Sequence, residues 1–148
     1  MARAGAWPVL LALSFAGIGA SGYLTYSHYA DSPAECAGVG SCDLVQTSEY
    51  ADILGVPVAL LGLGFFVSLA ALALARLVLG GERLPWAQPA AFSMALAGLA
   101  FVTYLTYIEL FVLEAICPWC VATAAVTAAV FAVTAREAVR DVRSAAGT

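Results

Sequence analysis

The chain has 148 residues, of which 63% are hydrophobic and only 11% charged, and its mean hydropathy is +0.93. A water-soluble domain of this length has no interior large enough for so much apolar surface, so the bilayer is the expected solvent. The net charge of −4, without a single lysine or basic run, excludes a nucleic-acid-binding surface.

Four apolar stretches, 7–26, 56–79, 89–112 and 118–135, approach or exceed the ~20 residues a helix needs to cross the hydrocarbon. They are continuous rather than alternating, which predicts helices and argues against strands; helices also pair their own backbone groups in lipid. The expected fold class is all-α, an integral-membrane four-helix bundle forming one domain over residues 1–148.

In chain order, residues 1–6 form a short lead into the first span, which contains Gly17 to Gly22, "GIGASG". That string matches a G-x-G-x-x-G dinucleotide pattern but has no preceding strand, so close helix packing through small residues is the better reading. The first span is expected to be retained rather than cleaved as a signal peptide, because "YLTYSHY" continues it as an aromatic interfacial end. The one substantial loop, 27–55, carries "SPAECAGVGSCD" and then "DLVQTSEYADILG", whose spacing of apolar residues predicts a short amphipathic helix on the membrane surface. Pro57 opens the second span, where its missing N–H costs nothing. "GGERLPWAQP" turns the chain into the third span. Glu109, near the end of that span, is expected to snorkel to the interface, with a functional role as the alternative. A very short connection then leads to "CPWC" at the start of the fourth.

Orientation follows from the six arginines: Arg3, Arg76, Arg83, Arg136, Arg140 and Arg143 all fall on one face. The opposite face holds Asp31, Glu35, Asp43, Glu49, Asp52, Glu109 and Glu114 with no Arg, so the positive-inside rule puts both termini in the cytoplasm. Trp7 and Trp86 then lie near the inner interface, and Tyr23, Tyr26 and Tyr29 near the outer one.

All four cysteines, Cys36, Cys42, Cys117 and Cys120, fall on the outer face, where disulfides persist. Cys117 precedes Pro118 at a helix start, where unpaired N–H groups favour a thiolate, and Cys120 lies a turn deeper on the same face. Cys36 and Cys42 flank "AGVGS", whose two glycines are expected to keep the ring pliable and the disulfide exchangeable. The arrangement reads as a relay from an exposed loop pair to a helix-mouth pair ending at Cys120. With no cytoplasmic thiol to take the electrons, the expected sink is a lipid-soluble two-electron acceptor, a quinone. The competing readings are a metal-binding membrane module using the four cysteines and a structural subunit with static disulfides. His28, the only histidine, is expected at the interface rather than in catalysis, and Trp119 either covers the CxxC or belongs to the aromatic belt.

The loop cysteines in "CAGVGSC", Ser48 in "CDLVQTSEY", and "CPWC" opening the last helix together resemble a bacterial member of the vitamin K epoxide reductase family over essentially the whole chain. That resemblance implies a four-helix bundle around a quinone, ubiquinone or menaquinone, capped by the extracytoplasmic loop. It implies that Cys36 exchanges with a partner protein, that Cys42 passes electrons to Cys117, and that Cys120 faces the quinone, with Ser48 near the quinone or the redox cysteines. It places the protein in the bacterial cytoplasmic membrane as a functional analogue of DsbB, reoxidising a DsbA-like or thioredoxin-like extracytoplasmic partner. No metal is implied. Many members carry a fused thioredoxin-like domain; none is expected here, so a separate partner is expected. Vertebrate members have a tyrosine four residues after the second CxxC cysteine where this chain has Ala124, so vitamin K epoxide is not implied as the physiological substrate.

Overall fold

The computed structural model describes residues 5–31, 36 and 40–147. Arg3, Glu35 and residues 37–39 of the loop ring, which enter the reading above, lie outside them. The elements are α1 (Trp7–Tyr29), α2 (Cys42–Gln46), β1 (Asp52–Ile53), β2 (Val56–Pro57), α3 (Val58–Leu79), α4 (Ala87–Tyr107), a π-helical turn (Ile108–Val112) and α5 (Pro118–Ala146). Four helices, Trp7–Tyr29, Val58–Leu79, Ala87–Val112 and Pro118–Ala146, are long and apolar enough to cross a bilayer.

Local chemistry sets the ends of these helices. A proline sits in the first turn of α1 and of α5, where its missing N–H is not needed. Gly80 ends α3 at a φ of 84°, a left-handed conformation that a side chain disfavours, and its N–H donates to the Arg76 carbonyl. α5 continues to Ala146, well past the apolar stretch that ends at Ala135. Helix-forming Ala, Arg and Glu carry it on, with Arg140 donating to Glu137 at 2.7 Å.

α1 packs most extensively on α3, and α4 on α5, while α5 also meets α1. The core joins Trp7 and Leu10 of α1, Phe66, Leu69 and Ala73 of α3, Ala87, Ala91 and Ala95 of α4, and Val130 of α5. Two adjacent rings of α3 fit notches in their neighbours. A Cβ at Gly17 would overlap Phe66, and one at Gly98 would overlap Phe65. Gly17 of the "GIGASG" string therefore serves helix packing. Two buried hydroxyls inside the spans are satisfied by their own helices: Ser14 donates to the Leu10 carbonyl at 2.8 Å and Thr134 to the Val130 carbonyl at 3.0 Å.

The loop departs from expectation. The short amphipathic helix anticipated over "DLVQTSEYADILG" is only the five residues of α2; turns follow it, and Asp52–Pro57 forms a two-stranded hairpin. Ile53 pairs with Val56 across a two-residue turn of Leu54 and Gly55, at φ values of 54° and 83°. Positive φ at both central positions is the type I′ geometry whose twist suits a tight hairpin, and it explains why strands appear where none were expected. Pro57 is the last hairpin residue and caps α3 from outside rather than sitting in its first turn. His28 at the end of α1 lies 3.7 Å from Asp52 of β1, which ties the hairpin to the bundle.

Candidate active site

The loop is held over the mouth of α5 by its backbone. Ser41 donates its N–H to the Ile116 carbonyl at 2.8 Å. Gly40 has a φ of 88°, and a Cβ there would press on Ile116 and Pro118. This glycine is thus a packing requirement, while Gly38, the other glycine of the ring, lies outside the described residues. The contact delivers Cys42, the first residue of α2, onto Cys117, the N-cap of α5.

Cys36 and Cys42 form a disulfide, with Cα atoms 6.1 Å apart. Cys117 and Cys120 are free thiols. The Cys42 and Cys117 sulfurs lie 3.5 Å apart in a cluster with Leu24, both side chains buried, while Cys36 at its edge is half-buried. The Cys120 N–H donates to the Cys117 sulfur at 3.4 Å. The thiol hydrogen bond from Cys120 pulls the Cys117 thiol below its ordinary range, aided by backbone N–H groups and opposed by burial and the nearby Glu109 charge. Trp119 packs against Tyr23 with ring centroids 4.9 Å apart, covering this cluster from the side.

Below the sulfurs lies a cavity of about 300 Å³ between α1, α3, α4 and α5 under the loop. Its walls are largely apolar, including Leu24, Phe65, Phe66, Phe101, Val102 and Ala124, and Cys120 borders it whereas Cys117 does not. Volume and lining fall within the usual range for small-molecule sites. Most hydroxyls on its wall are already used: Ser48 donates to the Val45 carbonyl at 2.7 Å, Thr106 to Val102, Thr123 to Cys120 and Thr127 to Thr123. Ser21 is different. It is 2% exposed, it borders the cavity, and its Oγ is one of two buried side-chain polar atoms without a hydrogen-bond partner among the described residues.

The structure thus brings Cys36, Cys42, Cys117 and Cys120 into one chain of contacts, and sets Ser48 at the cavity wall with its hydroxyl committed to the backbone. Two wall residues were not expected as site residues: Ser21 was not singled out, and Glu109 stood as a functional candidate only in second place. Ser21 is hidden inside the "GIGASG" string. Glu109, expected to snorkel outward, is instead 6% exposed and borders the cavity. A lone acidic residue in an apolar run was the available signal for it.

Membrane-length helices, a disulfide touching a second cysteine pair, and an adjoining apolar cavity define a multi-pass membrane protein equipped for thiol chemistry. The model of the vitamin K epoxide reductase family matches residues 8–135, and the chain belongs to that family of membrane thiol–disulfide oxidoreductases.

Proposed function

We propose that the protein oxidises a thioredoxin-like or DsbA-like partner outside the bacterial cytoplasmic membrane and passes the electrons through its two cysteine pairs to a membrane quinone. The observation that carries this reading is the 3.5 Å contact between Cys42 and Cys117, with Cys120 on the cavity wall. A thiolate attacks a disulfide sulfur in line, and the contact is close enough for that exchange without rearranging the loop.

The partner dithiol attacks the loop disulfide at Cys36, the less buried of the two, and is released as a disulfide, leaving Cys36 and Cys42 as thiols. Cys42 as thiolate then attacks Cys117 in the Cys117–Cys120 disulfide, freeing Cys120. Cys36 attacks Cys42 in turn, restoring the loop disulfide and expelling Cys117. A thiol with a lowered titration point leaves faster, which suits Cys117 to that last step. The electron pair then resides on Cys117 and Cys120.

The cavity fits a quinone: apolar walls suit its ring and chain, and the unpartnered Ser21 hydroxyl offers a hydrogen bond to a ring oxygen. When bound, ubiquinone or menaquinone would accept two electrons and two protons. Ser48 borders the cavity and, through Val45, holds the end of α2 against it. The arginines of α3 and α5 lie at the end of the bundle away from the cysteines, which supports a cytoplasmic location for the termini.

The test is quinone reduction by the purified protein supplied with a reduced thioredoxin-like protein. One quinone consumed per partner disulfide formed is the expected result, with Cys120→Ala abolishing it. Partner oxidation without quinone consumption, or no reaction of either, overturns the reading.

A further inference from the structure

Oxidising two thiols by a quinone moves two protons as well as two electrons, and the reading above leaves the protons without a carrier. Glu109 is the one carboxyl on the cavity wall among the described residues. The π-helical turn that contains it sends Leu110, Phe111 and Val112 outward, at 47%, 68% and 47% exposure, while Glu109 turns inward at 6%. Its backbone carbonyl accepts from the Ala115 N–H at 3.0 Å, which closes the short link to Cys117. Its carboxyl lies within electrostatic reach of the Cys120 thiol, and both residues border the cavity. No arginine or histidine pairs with it among the described residues, so it is not one half of a structural ion pair. A carboxyl held in an apolar wall with a thiol as neighbour is costly to keep and is suited to proton transfer.

We propose that Glu109 is the catalytic proton carrier between the Cys120 thiol and the cavity ligand, an inference that rests on the quinone reading. Closing the Cys117–Cys120 disulfide breaks two S–H bonds, forms one S–S bond and releases two electrons and two protons. The electron pair goes to the quinone. The Glu109 carboxylate accepts the Cys120 proton and returns it to one quinone oxygen; the proton that Cys117 gives up to water on ionising is replaced from water at the other oxygen, so Glu109 ends as it began. The other titratable groups near this path are Cys117 at the α5 mouth and Tyr50 from the loop; α1 and α3 present only uncharged residues to the cavity.

The experiment has two arms. In the first, protein carrying reduced Cys117 and Cys120 is mixed with a short-chain quinone and followed through one turnover across pH. Glu109→Gln should slow this step about 100-fold near neutrality, a typical contribution of a positioned acid or base. Its rate should then rise with pH as the thiols ionise unaided, while Glu109→Asp keeps part of the wild-type rate and so separates lost chemistry from lost folding. In the second, quinone-free protein is examined by infrared difference spectroscopy between dithiol and disulfide states. A carboxyl band that disappears in Glu109→Gln is expected. Wild-type rate and pH profile in Glu109→Gln, or no carboxyl band, overturns the inference alone. Wild-type protein that reduces no quinone overturns the proposed function, and this inference with it.

Discussion

Cys117 differs from the other cysteines in what surrounds its sulfur: the Cys120 thiol and N–H on one side and the Cys42 sulfur on the other. The hydrogen bond from the Cys120 thiol is the leading cause of its lowered titration, so Cys117 remains a thiolate at pH values where an ordinary thiol, near 8.5, is protonated. Its exchange should slow only as pH falls through that lowered value. Cys120→Ala removes the leading donor and should move the profile upward, toward that of an ordinary thiol. Cys120→Ser keeps a donor and should move it less. The difference should be largest near neutrality and vanish at high pH, where both variants are ionised. Capturing the freed Cys36 with a maleimide, as Cys117 attacks the loop disulfide, measures it; identical profiles for Ala and Ser would remove this account of Cys117. The four cysteine positions were legible in the sequence, because cysteine pairs at a helix mouth and in a loop are few and conspicuous. Ser21 was not, and Glu109 stood only as the second reading, because the placement of both depends on which way a helix turns them. A serine in a span ordinarily bonds its own backbone, and only the structure shows that Ser21 does not.

At the scale of elements, α3 is wedged between α1 and α4 by Phe65 and Phe66, which fill the notches at Gly98 and Gly17 and also line the cavity. Packing and cavity shape therefore share the same side chains. Gly17→Ala should destabilise the bundle by about 1–3 kcal/mol, the usual cost of overpacking a filled site, since the buried Phe66 ring must shift. Denaturant titration of helix content in detergent measures the loss, and a smaller residue at Phe66 should recover part of it. An unchanged Gly17→Ala protein would mean that the two helices pack more loosely than described. The spans were readable because a long apolar run has few other fates. The hairpin was not, since "DILGVP" offers Leu rather than Asn or Asp before the turn glycine, and the Leu54 conformation is uncommon for a side chain of that kind. The π-helical turn left no mark in the apolar pattern at all.

For the whole molecule, the polarity seen in the sequence becomes a division of labour along the bundle. Arg76 lies over the Trp7 ring at 5.4 Å at one end, and the sulfurs and cavity occupy the other. The four membrane-length helices form a frame, and the loop, pinned by Gly40 and Ser41, brings the Cys36–Cys42 disulfide to within one helical turn of an apolar chamber. The central claim is that Cys42 hands electrons to Cys117 and to no other cysteine of the deeper pair. The most direct measurement replaces Cys36 with alanine, oxidises the protein, and maps its disulfides without reduction. Lacking the cysteine that would resolve it, a Cys42–Cys117 bridge should accumulate, with Cys120 free to alkylation. A Cys117–Cys120 bridge beside an unpaired Cys42, or a Cys42–Cys120 bridge, would contradict the account.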